Sequence, residues 1–146
     1  MRSFMALFAF EDPDPMLMPL AARRALDHGG LKLSLAGWQA LPQPLRAGLI
    51  ELGAAPYVEV DAVRALLRDV TTTEQPVEGD PASDAPPESL LELLRGIVLP
   101  AAVWRGLTPL ARYALVKVAH SKRSQRLPEA AREILGNDLL EPPHVP

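Results

Sequence analysis

The sequence predicts an all-α protein: two helical repeats packed around one core, with a bridging helix and a disordered acidic proline-rich linker. Three observations lead there. Apolar residues recur at helical spacing along most of the chain. Aromatics make up only 5% of the residues against a hydrophobic share of 48%, a mixture rich in Leu, Val and Ala that favours helix over sheet. One pattern also occurs twice, because Gly30, Leu31, Leu33, Trp38, Leu41, Arg46, Leu49 and Ile50 return as Gly96, Ile97, Leu99, Trp104, Leu107, Arg112, Leu115 and Val116, every pair 66 positions apart. Both tryptophans of the chain fall in the pattern, which points to an internal duplication.

The elements follow in order. Repeat one covers 19–52: a helix opens at Pro19 and runs to His28, and Gly29 and Gly30 supply the left-handed conformation that closes it. Leu31 to Leu33 form an extended link to Ser34, a good N-cap for a short helix carrying Trp38. Pro42 and Pro44 break the chain before Leu41, Leu45, Leu49 and Leu52 line up as one apolar stripe. A bridging helix is predicted over 57–70, where Val60, Val63, Leu66, Leu67 and Val70 keep the 3.6-residue period. The stretch 71–87 holds four prolines and four acidic residues with almost nothing apolar, the composition of a mobile linker. Repeat two covers 86–118. Pro87 opens its first helix, Gly96 ends it, Pro100 is expected at the first position of the next, and Thr108 with Pro109 make an N-cap and N1 pair. A short C-terminal helix over 128–135 stops at Gly136. With 146 residues the whole is expected to be a single domain, 1–146.

Composition excludes several kinds of chemistry. The chain has no cysteine, so disulfides, thiolate nucleophiles and cysteine-based metal sites are ruled out. Its net charge of −3 gives no overall drive toward nucleic acid. No apolar run approaches the roughly 18–20 residues of a membrane span, and Met1 to Phe10, cut short by Glu11 and Asp12, does not read as a signal peptide. A cytoplasmic protein is expected, with no nucleic-acid or membrane partner and an open oligomeric state.

Candidate chemistry is sparse. His28, His120 and His144 lack any metal-ligand spacing, no serine sits in a nucleophile elbow, and there is no phosphate-binding glycine loop. No catalytic residue, metal ligand or cofactor is therefore expected. Trp38 and Trp104 read as core plugs whose indole N–H groups need acceptors, with exposed docking anchors as the competing reading. Arg46 and Arg112 lie between apolar stripe positions and are expected to pack their stems and pair with a carboxylate such as Asp27. Lys117, His120, Lys122, Arg123 and Arg126 form the dense basic run, either a solvated loop or a contact patch for an acidic partner.

Phe8, Phe10, Glu11, Pro19, Arg23, Leu26, Asp27, Gly30, Leu31, Lys32, Leu33, Ser34, Leu35 and Trp38 form an N-terminal signature. Trp104, Leu107, Thr108, Pro109, Leu110, Arg112, Tyr113, Ala114, Leu115 and Lys117 form a C-terminal one. In order and spacing they resemble the nitrate reductase associated protein family. The resemblance implies a bacterial accessory protein, linked with assimilatory nitrate reductase and its biogenesis and without accepted catalytic residues. Cyanobacterial members carry cysteines near the positions of Met18 and Gly29, and their absence here removes any thiol-dependent delivery of a cofactor or metal. The function expected is non-enzymatic protein–protein interaction, with nitrate reductase or its maturation machinery as partner. The alternative is a small-ligand or effector-binding regulatory module, which requires a preformed apolar pocket.

Overall fold

A computed structural model of the chain describes residues 8–12, 14, 16–94, 98–121 and 124–136. It is mainly helical and forms two compact units, Met1–Gly79 and Asp80–Pro146. The first holds α1 (Leu20–Gly29), β1 (Leu31–Lys32), α2 (Leu35–Ala40), α3 (Gln43–Ala54), α4 (Val60–Leu66) and β2 (Thr73–Glu74). The second holds α5 (Glu88–Leu93), α6 (Ala101–Gly106), α7 (Pro109–Ala119), a 3-10 turn at Ser124–Arg126 and α8 (Leu127–Leu135).

Local chemistry sets the helix ends. Gly30 adopts φ 68° beyond α1 and returns its N–H to the Asp27 carbonyl, as left-handed C-terminal closure requires. The Ser34 hydroxyl accepts the Gly37 N–H at 2.9 Å and the Thr108 hydroxyl accepts the Ala111 N–H at 3.1 Å, each satisfying a donor at a helix start. Pro109 stands at N1 of α7, where the missing N–H costs nothing. Pro100 is the N-cap of α6 and not its first helical residue, with φ −63° and ψ 144°. The Gly96 end of α5 lies outside the described residues.

In the first unit α3 and α4 pack on α1, whose buried face is small: Ala21, Ala22, Ala25 and Leu26. That face lets α3 come in to backbone contact. A Cβ built on Gly53 would fall 1.6 Å from the Ala21 carbonyl oxygen, so only glycine permits the approach. Gly53→Ala is expected to lose about 3 kcal/mol, the upper end of the overpacking range, read as a lower urea midpoint. Gly106→Ala is its control, because a Cβ there meets nothing within 4 Å and alanine is the better helix former.

Three expectations change. The bridging helix is shorter than 57–70, since Tyr57 lies in a bend, Val58 and Glu59 precede the first helical residue Val60, and Leu67 leaves helical geometry at φ −101°, ψ 15°. It packs on α1 and α3 of its own unit. The protein is not purely helical, because β1 and β2 pair antiparallel with Leu31 opposite Glu74 and Lys32 opposite Thr73. The same pairing changes the reading of 71–87. The Gln75 N–H donates to the Gly30 carbonyl, the Glu78 N–H donates to the Asp27 carbonyl, and the Gln75 amide donates to Asp27 Oδ1 and the Leu31 carbonyl. Further on, the Ala82 carbonyl accepts from the Trp104 indole at 2.8 Å. The segment lacks apolar side chains, but its backbone finds specific partners, and those bonds replace the hydrophobic burial on which the linker expectation was based.

Helices recur between the units at nearly constant spacing. α2 and α6 begin and end 66 positions apart, and α3 and α7 begin 66 apart. Their flanking residues repeat as well, with Leu41 at φ −67°, ψ 139° and Leu107 at φ −74°, ψ 154°. α4 and α8 begin 67 positions apart, with Val63 and Ala130 both fully buried.

Candidate interaction surface

The basic run begins on α7. Lys117 lies in its last turn with the ammonium 5.6 Å from the centre of the Tyr113 ring, a cation–π distance. His120 is the C-cap, exposed, with Nε2 3.1 Å from the Ser89 hydroxyl oxygen. A cation at a helix C-terminus complements its partial negative charge, so Lys117 also stabilises α7. The chain then turns as the Ser121 hydroxyl and N–H both donate to the Val118 carbonyl. Arg126, half-buried, closes the 3-10 turn and precedes α8, whereas Lys122 and Arg123 lie outside the described residues. Three of the five basic residues are thus described, Lys117 and His120 at the end of α7 and Arg126 at the start of α8.

The Ser89 and His120 contact joins the first turn of α5 to the end of α7, a proximity hidden by 31 positions of sequence. Both side chains are exposed, so water competes for the hydroxyl, and the pair reads as a surface hydrogen bond and not as an activated nucleophile. His28 sits half-buried in the last turn of α1, and His144 lies outside the described residues. Among the described residues no group of three or more His, Asp or Glu is placed to hold a metal ion. No helix among them is long and apolar enough to cross a membrane.

The anchor residues take structural positions. Trp38 is 1% exposed and Trp104 fully buried. Arg112, also buried, donates through Nη1 to the carbonyls of Trp104 (3.3 Å), Arg105 (3.3 Å) and Leu107 (2.6 Å), closing the C-terminal end of α6. Arg46 is half-buried and donates to the Gln43 side chain at 3.3 Å. In place of the carboxylate pairing expected for these arginines, Arg112 meets backbone carbonyls at the end of the preceding helix and Arg46 meets a side-chain amide in the first turn of its own.

Sequence reasoning missed Arg24. It is fully buried, and its guanidinium donates to the carbonyls of Gly53 (2.8 Å), Ala55 (2.6 Å) and Pro56 (3.1 Å). The available signal was an arginine on the alanine-lined face of α1, three residues after Ala21 and next to Ala25.

The two signatures can now be placed. Phe8 and Phe10 stack with ring centres 5.2 Å apart, Glu11 Oε1 accepts the Leu20 N–H at the start of α1, and Gly30, Ser34 and Trp38 set the turn into α2. In the second unit Trp104, Leu107, Thr108, Pro109 and Arg112 set the turn from α6 into α7. The model of the family described as conserved nitrate reductase-associated protein matches residues 7–134. This chain belongs to that family. The family match runs from the Phe8 and Phe10 stack through nearly all of α8, so it covers both units. No curated protein and no solved structure matches the chain significantly.

Proposed function

We propose that this chain is a cytoplasmic, non-enzymatic accessory protein that acts by binding another protein, supporting the biogenesis or activity of assimilatory nitrate reductase. The observation that carries this reading is the family match over residues 7–134, whose description names an association with nitrate reductase. The side chains of this chain support binding over chemistry. Ser34 and Thr108 cap helices, Arg24 and Arg112 hold carbonyls at helix ends, and both tryptophans are buried. Lys117, His120, Lys122, Arg123 and Arg126 are the contact surface in this reading, fitted to an acidic face of nitrate reductase or its maturation machinery. Such a contact is steered by charge and weakened by salt. Replacing Lys122, Arg123 and Arg126 by Glu is expected to abolish capture of the reductase or a maturation factor in pull-downs from the native host at low salt, with the circular dichroism melt unchanged. A deletion strain should lose nitrate reductase activity. Normal activity in that strain, with neither protein recovered by the unaltered chain, would sink the proposal.

The same reading takes the two units as copies of one four-helix module. The 66-residue spacing of α2 with α6 and α3 with α7, the matching backbone at Leu41 and Leu107, and the parallel places of α4 and α8 support it. The copies have diverged at their closest packing: Gly53 and Arg24 of the first have Ala119 and Leu90 at the corresponding positions of the second.

A further inference from the structure

Tyr57 is the one exposed aromatic among the described residues. Trp38, Trp104 and Tyr113 are buried and Phe8 and Phe10 are half-buried, whereas Tyr57 is 74% exposed. Its backbone is nevertheless held on both sides. Before it, buried Arg24 fixes the Ala55 and Pro56 carbonyls; after it, Val58 is 2% exposed. The chain bends at Ala55 to Tyr57 and then runs into α4, with Ala55 at ψ 151° and Glu59 at φ −77°, ψ 92°. Burial alternates along it: Val58 is buried, while Tyr57 and Glu59 on either side of it are exposed. Asp61, in the first turn of α4, is exposed two residues later.

A large ring left in water on a pinned backbone is the form of a binding anchor, because the ordering that association would otherwise demand has been done by the fold. The charge beside it selects the occupant. A guanidinium can lie flat on a tyrosine ring and still donate in-plane hydrogen bonds to a carboxylate, and Glu59 and Asp61, two and four residues further along the chain, carry exposed carboxylates. We propose that residues 56–61 are a second interaction surface, for an arginine-bearing segment of a protein partner, with Tyr57 as anchor and Glu59 and Asp61 as ion-pair acceptors. This surface is independent of whether nitrate reductase is the partner.

The test is a titration of the isotope-labelled full chain at low salt with an arginine–glycine repeat peptide, its lysine–glycine counterpart and a glutamate–glycine control, followed by amide chemical shifts. Shifts should cluster at residues 55–61, arginine should bind more tightly than lysine, and the control should not bind. Tyr57→Ala should weaken arginine binding about three- to five-fold, as expected for an exposed cation–π contact, and Tyr57→Phe, which keeps the ring face, should restore it. Shifts spread evenly over all acidic positions, equal binding of the lysine peptide, or wild-type affinity in Tyr57→Ala would each overturn the assignment.

Discussion

Trp104→Ala is expected to destabilise the protein by about 3–5 kcal/mol, the range for a large buried aromatic truncated to alanine. The ring is fully buried. An indole hides about 150–250 Å², which at roughly 25 cal/mol per Å² is of the same order as the expected loss. The N–H donated to the Ala82 carbonyl at 2.8 Å adds to it, because the mutant leaves that acceptor without its donor. Urea denaturation followed by circular dichroism gives the loss, and Trp38 fluorescence then reports the first unit alone. Trp104→Phe separates the two contributions: it keeps most of the apolar area and removes only the hydrogen bond, so it should lose about 1–3 kcal/mol. Equal losses for Phe and Ala would mean that the hydrogen bond to Ala82, and not burial, holds this helix.

Arg24→Met should be as damaging, about 3–5 kcal/mol, for a different reason. The last four carbonyls of a helix lack intrahelical partners, and α3 ends without a glycine in left-handed conformation, at Ala55 with φ −66° and ψ 151°. The Arg24 guanidinium closes that end by reaching the Gly53, Ala55 and Pro56 carbonyls, and its positive charge sits at the negative pole of the helix. Methionine has nearly the same reach and no donor, so the buried Gly53 carbonyl loses its partner at about 1–3 kcal/mol, and the part-buried Ala55 and Pro56 carbonyls lose theirs at a smaller cost because water can replace it. Arg24→Lys keeps the charge but not the planar fork and should recover only part of the loss. A midpoint for Arg24→Met within error of the unaltered protein would show that water closes this helix end instead. The same substitution should loosen the Tyr57 loop, visible as faster amide exchange at Val58.

Much of the helical framework was legible in the residues because it depends on neighbours in sequence. Ser34 and Thr108 cap helices where their hydroxyls predict, Gly30 takes the left-handed conformation, Gly136 stops α8 at φ 90°, and prolines stand at helix starts. The candidate surface was legible only as a run of charge. That Lys117 lies over Tyr113 follows from four-residue spacing on one helix, but the Ser89 contact of His120 does not.

What the sequence determined by itself is therefore the local and the periodic: helices, their caps, the 66-residue recurrence, and the signatures by which the family match over residues 7–134 was anticipated. Only the tertiary structure decided the rest. β2 becomes a strand because β1, more than 40 positions earlier, offers it an edge, although its own side chains are exposed and carry no apolar pattern. Arg24 is buried because α3 ends above it, and Tyr57 is held outward because Arg24 and Val58 anchor the backbone on either side. A hydrogen-bond partner or a close backbone approach supplied by a distant segment leaves no periodicity in the chain that receives it, so such features appear only once the helices have packed.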